Sequence, residues 1–178
     1  LGGLGYAQCA AECYKQCLQA GEMPDFVVIP SGSGLTHAGF LSGARAAGWN
    51  VPVYGICVRR GAAQQSDRIA KRAAEITTLL GGPARLQDKD ILVDDATFAP
   101  GYGQMNEQVA DAIKFAARDE ALLVDPVYTG RGLAGLISLV ERGIIKQGQK
   151  VMFVHTGGTP ALFAYQTDLM TRIKPAIE

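Results

Sequence analysis

The chain has 178 residues, is 48% hydrophobic and 19% charged, and carries 17 Lys+Arg against 17 Asp+Glu. That length supports one domain with a real core. The charge balance excludes the basic footprint of a nucleic-acid binder, and the hydrophobic content excludes a disordered chain. No apolar run approaches the ~20 residues needed to span a membrane, so no membrane association is expected.

In chain order, "LGYAQCAAECYKQCLQAG" (4–21) predicts a helix closed near Gly21. Cys9, Cys13 and Cys17 recur every four residues, which stacks them on one helix stripe. Without a CxxC or a nearby His they read as thiols packing like small hydrophobes, not as metal ligands. Unpaired thiols fit a reducing, cytoplasmic location. "PDFVVIP" (24–30) predicts a strand whose unbroken Val-Val-Ile run suits a sheet buried on both faces. "THAGFLSGARAAG" (36–48) predicts a helix, "VPVYGICV" (51–58) a second buried strand, and "QQSDRIAKRAAEITTLLGG" (64–82) a helix with a glycine stop. "DILVDD" (90–95) predicts a short strand. In "NEQVADAIKFAARDE" (106–120), Val109, Ile113 and Ala116 form one apolar helix face. "GLAGLISLVERG" (132–143) predicts a helix and "KVMFVHTGG" (150–158) a final strand. The remainder, 166–178, reads as a polar tail. Strand and helix alternate throughout, which predicts an open, mostly parallel α/β sheet with helices on both faces.

The loop after the first strand, "SGSGLT", is the first candidate site. Ligands of open α/β sheets bind beyond the carboxyl ends of the strands. Glycines there let successive N–H groups point outward, and the following helix adds its positive end. Ser33 and Thr36 add hydroxyls. The loop lacks the lysine of a Walker motif and the spacing of GxGxxG. On its own it reads equally as an anion cup and as a capped strand-to-helix turn. Three further loops set a hydroxyl beside glycine near the end of an apolar run: "FAPGYGQMNE" (98–107), "DPVYTGRG" (125–132) and "HTGG" (155–158).

These stretches, together with "LGGLGY", "SGSGLTHAG", "LLVDPVYTGRGLAGL" and "FVHTGGTPALFAY", resemble the C-terminal half of the D-cysteine desulfhydrase and 1-aminocyclopropane-1-carboxylate deaminase family. The resemblance implies a fold-type II, tryptophan synthase β-like large domain over 1–165 that binds pyridoxal 5′-phosphate, followed by a tail at 166–178. It implies that Ser33, Gly34, Leu35 and Thr36 hold the cofactor phosphate. Tyr102 and Tyr128 would face a small amino-acid substrate, Thr129 the pyridine nitrogen, and Thr156 and Gly157 the far side of the ring. Deaminase members carry Glu in place of Thr129 and Leu in place of Thr156. A carboxylate can keep the ring nitrogen protonated and strengthen the electron sink, whereas a Thr hydroxyl only shares a hydrogen bond. The weaker sink suits β-elimination and the desulfhydrase branch. Thr129 also has a plainer reading, as a cap of the helix that follows.

The family's Schiff-base lysine and small domain lie in its N-terminal half. Lys15, Lys71, Lys89, Lys114, Lys146, Lys150 and Lys174 all sit outside contexts resembling that lysine's motif. The chain is therefore expected to be a fragment, inactive alone and homodimeric when intact. The competing expectations are deamination of 1-aminocyclopropane-1-carboxylate or elimination from another D-amino acid on the same scaffold, and a non-catalytic module that keeps only the anion cup.

Overall fold

The computed structural model describes residues 2–81 and 86–172. Four parallel strands form one sheet: β1 (Phe26–Ser31), β2 (Val53–Cys57), β3 (Leu92–Asp94) and β4 (Val151–Phe153), in the order β3-β2-β1-β4. The helices are α1 (Gly2–Ala20), α2 (Leu35–Ala46), α3 (Ala62–Leu79), α4 (Glu107–Asp119), α5 (Thr129–Glu141), α6 (Ala161–Ala164) and α7 (Gln166–Arg172). Every predicted element is present, and the α/β class stands.

The continuous apolar run of β1 follows from its central place. Alternate side chains leave a strand on opposite faces. Val27 and Ile29 pack with Ala10, Phe40 and Leu41 of α1 and α2. Val28 packs with Ile56 and Leu139, the latter on α5. All three β1 side chains are fully buried, each contributing about 1.5–3 kcal/mol of transfer free energy.

Glycine sets the closeness of α1 to α2. A Cβ at Gly43 would overlap the backbone of Ala7, and one at Gly39 would overlap the carbonyl of Gly3. This brings Tyr6 of α1 to the carboxyl end of the sheet. Cys9 and Cys13 are half-buried against the same core, and all four cysteines are free thiols. Burial first, and then neighbouring Cys9, push the Cys13 thiol up to about 11.

The segment read as a polar tail is ordered at its start. Residues 166–172 form α7, with Leu169 packed on the core between α4 and α5. Arg172 pairs with Asp168 at 2.8 Å and Glu107 at 2.5 Å. Leu162 of α6 and Leu169 of α7 both pack against the α4–α5 cluster, so polarity alone misled. Residues 173–178 lie outside the described residues. Among those described, no helix is long and apolar enough to cross a membrane.

Candidate active site

From β1 the chain winds one way through β2 and β3, and β4 lies on the other side. The order reverses between β1 and β4, which opens a crevice at the carboxyl ends of those two strands. A cavity of about 310 Å³ occupies that place. The loop after β1 supplies Gly32, Ser33, Gly34 and Thr36 to its wall, and the loop after β4 supplies Thr156, Gly157 and Gly158. Tyr128 and Tyr6 complete it.

The β1–α2 loop leaves several backbone amides free. Gly34 takes φ +87°, a conformation that disfavours any residue with a Cβ. Ala38 N–H bonds the Gly34 carbonyl, and Leu35 N–H bonds Ser33 Oγ at 3.3 Å. Among the described residues, the N–H groups of Ser33, Gly34 and Thr36 have no acceptor. Unpaired amides at a helix start, lining a cavity, are the donor set a phosphate requires. Leu35 contributes no side chain to the cavity wall, and its amide is taken by Ser33.

Tyr128 lines the cavity beside this loop, its ring edge 3.1 Å from where a Cβ on Gly32 would sit. Asp125, 1% exposed, fixes it: one carboxylate oxygen accepts from the amides of Val127 and Tyr128, each at 2.8 Å, and the other from Thr129 N–H at 2.7 Å. A carboxylate capping the start of α5 satisfies donors the helix cannot. The Tyr128 hydroxyl meets that of Tyr102 at 2.7 Å. That hydrogen bond, then burial, pushes the Tyr128 phenol up to about 12. Tyr102 lies outside the cavity wall and reaches it through Tyr128.

A fully buried arginine shapes the Tyr102 loop. Arg131 donates to the carbonyls of Thr97, Phe98 (2.9 Å) and Gln104 (2.5 Å). Asn106 Nδ2 donates to Ala99 O at 2.6 Å and the Tyr165 hydroxyl to Gly103 O at 2.6 Å. Arg59 lies over the Tyr102 ring, 5.4 Å from its centroid, which favours the charge by attraction to the ring face.

Thr129 departs from expectation. Its side chain is fully buried, its hydroxyl donates to Asp125 Oδ1 at 2.7 Å, and it accepts from Asp125 N–H at 2.8 Å. It does not line the cavity. Both bonding functions of the hydroxyl are spent on Asp125, so Thr129 opens α5 without capping a helix amide itself, and the Asp125 carboxylate takes the amides there. The structure thus brings Ser33, Gly34, Thr36, Tyr128, Thr156 and Gly157 around one cavity and leaves Leu35, Tyr102 and Thr129 outside its wall. Sequence reasoning missed Tyr6 and the role of Asp125, while Gly158 belongs to the 155–158 loop it had marked. Asp125 had a signal, an Asp four residues ahead of a Thr-Gly helix start. Tyr6 had none, because only the α1–α2 crossing carries it there.

A family model described as pyridoxal-phosphate dependent enzyme matches residues 1–157. The chain belongs to that family of pyridoxal-phosphate-dependent enzymes. A D-cysteine desulfhydrase of Klebsiella pneumoniae (strain 342) is 41% identical over 170 residues, covering 95% of this chain and 50% of the relative. A probable 1-aminocyclopropane-1-carboxylate deaminase of Cryptococcus neoformans is 36% identical over 94% of this chain and 48% of its own length. The chain therefore spans about half the length of the curated relatives it matches. The crystal structure of an ACC deaminase homologue superposes with a TM-score of 0.82 at 28% identity, over 96% of this chain and 50% of that one. A fungal L-serine ammonia-lyase from Rhizomucor miehei, 17% identical with a TM-score of 0.60, shares the fold.

Proposed function

We propose that this chain is the large-domain half of a pyridoxal-phosphate-dependent lyase that eliminates from D-cysteine, with water, to pyruvate, ammonia and hydrogen sulfide. The observation that carries the reading is the cavity at the sheet's switch point, lined by unpaired amides and by a phenol. Bound there, pyridoxal phosphate supplies an electron sink for bonds at the substrate's α carbon. The amides of Ser33, Gly34 and Thr36 hold the phosphate. Thr156 and Gly157 bound the pocket on the β4 side. Tyr128, protonated throughout the neutral range, offers a proton at Oη to the departing sulfur, and Tyr102 relays one to it from solvent. Among the described residues no lysine lines the cavity, so a covalent anchor would come from the N-terminal half of the intact homodimeric, cytoplasmic protein.

Deamination of 1-aminocyclopropane-1-carboxylate is the second reading, favoured by the 36% identical relative and by the ACC deaminase homologue of known structure. Because Thr129 is committed to Asp125, the preference for elimination rests on the hydroxyl of Thr156 and on the 41% identical desulfhydrase.

The test combines the purified chain with the N-terminal half of the Klebsiella relative, then measures pyruvate from D-cysteine against 2-oxobutyrate from the cyclopropane substrate. Pyruvate and sulfide should dominate, and the chain alone should release no sulfide above the free-cofactor background. Dominant 2-oxobutyrate would establish the second reading. Phosphate-dependent ligand binding without any turnover by the combined halves would favour a non-catalytic module.

A further inference from the structure

Two arginines reach the β1–α2 loop from the side of α3: Arg60 just after β2, and Arg68 on α3. Neither has a carboxylate within ion-pair distance among the described residues. Arg60 Nη1 donates to the Gly32 carbonyl at 2.5 Å, and Arg68 Nε donates to the Ser33 carbonyl at 2.6 Å. Neither arginine lines the cavity.

A trans peptide is planar, and its C=O and N–H point in opposite directions. The Gly32 carbonyl shares a plane with the Ser33 amide, and the Ser33 carbonyl shares one with the Gly34 amide. Pinning both oxygens toward α3 therefore turns both N–H groups toward the cavity. Without the pins these planes can rotate, because glycine flanks each of them and tolerates either hand of φ.

Arg60 is itself fixed. Its Nη1 also donates to Gln65 Oε1 at 2.6 Å, and Gln65 Nε2 donates to Ser31 Oγ at 2.7 Å. Gln65 and Ser31 are buried, so the pin is tied to the end of β1 and not to solvent.

We infer that Arg60 and Arg68 are positioning residues for the anion cup: by holding the carbonyls of Gly32 and Ser33 from behind, they aim the amides of Ser33 and Gly34 at the cofactor phosphate. The inference rests on the proposed phosphate site. It adds that specificity for the phosphorylated ligand is set from outside the cavity.

The experiment uses the 178-residue chain and its Arg60→Met, Arg68→Met and Arg68→Lys variants, with thermal unfolding confirming that each folds. Binding of pyridoxal phosphate, pyridoxal and inorganic phosphate is titrated calorimetrically at low and at about 1 M salt, where the Debye length is about 3 Å. Amide resonances of Ser33 and Gly34 are followed in the absence of ligand. Each Met variant should weaken pyridoxal phosphate and phosphate about tenfold at both salt concentrations, leave pyridoxal unchanged, and broaden or shift the two free-state amides. Arg68→Lys should recover part of the affinity. Weakening that disappears at high salt would mean the arginines act only as distant charges and would overturn the inference. Unchanged affinity with unchanged free-state amides would overturn it too. If the unaltered chain bound pyridoxal and pyridoxal phosphate alike, the phosphate site itself would fail; the free-state amides would then decide whether the arginines orient the peptides.

Discussion

Replacing Thr129 with Val asks directly what its hydroxyl is for. Val has nearly the same shape and the same branching at Cβ, so neither a cavity nor a change in backbone preference enters. Two interactions are lost. The hydroxyl no longer donates to the Asp125 carboxylate at 2.7 Å, a bond to a charged acceptor that contributes roughly 1.5–3 kcal/mol. Asp125 N–H, which reached Thr129 Oγ1 at 2.8 Å, is left buried without an acceptor at roughly 1–3 kcal/mol. The two effects share partners and overlap, so the expected loss is about 3 kcal/mol. Thr129→Ser keeps both bonds, loses one methyl group, and should cost about 1 kcal/mol. Urea unfolding followed by circular dichroism measures both, with Thr129→Ser as the internal control. A Val variant within about 1 kcal/mol of the parent would refute the reasoning. It would place the hydroxyl toward the cavity, where the resemblance to the family puts it.

Tyr102→Phe removes the hydrogen bond that chiefly raises the Tyr128 phenol, so Tyr128 should titrate below its present value of about 12 and closer to the ordinary 10; an unchanged tyrosinate absorbance titration would contradict the pairing. His37, fully buried, is held down to about 4 by burial. The folded state keeps it neutral while the unfolded state binds a proton below 6.5, so stability is full above 6.5 and is lost as pH falls to about 4. That interval corresponds to about 3 kcal/mol. His37→Gln should flatten this part of the stability–pH curve, and parallel curves for the two proteins would refute it. Gly5→Ala, at an exposed site in α1 with open space around the new Cβ, should stabilise by roughly 1 kcal/mol. Gly43→Ala should destabilise by roughly 1–3 kcal/mol, because its Cβ would meet the Ala7 backbone. Thermal unfolding of the pair tests the glycine packing of α1 on α2, and the same sign for both would contradict it.

The sheet was legible because its physics is local in sequence. A strand buried on both faces must be apolar without alternation, and Val27, Val28 and Ile29 meet that requirement. The β1–α2 loop was legible as strand, glycine and hydroxyl, then helix. The direction of a hydroxyl was not. Thr129 had two candidate partners, and the choice between them depends on where the Asp125 carboxylate turns, which the residue types do not state. Nor did the sequence reveal what stands behind the loop, since Arg60 and Arg68 approach it from 28 and 35 residues away. The helix at 166–172 was hidden because its few apolar contacts, Leu169 among them, are diluted by charge on the other faces.

In the function proposed for this chain, Ser33, Gly34 and Thr36 hold the cofactor phosphate through their amides. Nitrogen–proton correlation spectra of the isotopically labelled chain, titrated with pyridoxal phosphate and separately with pyridoxal, read those contacts residue by residue. These three amides should move downfield with pyridoxal phosphate, saturate together, and stay in place with pyridoxal. If they remain still while pyridoxal phosphate binds, or move equally with pyridoxal, the phosphate is not held there.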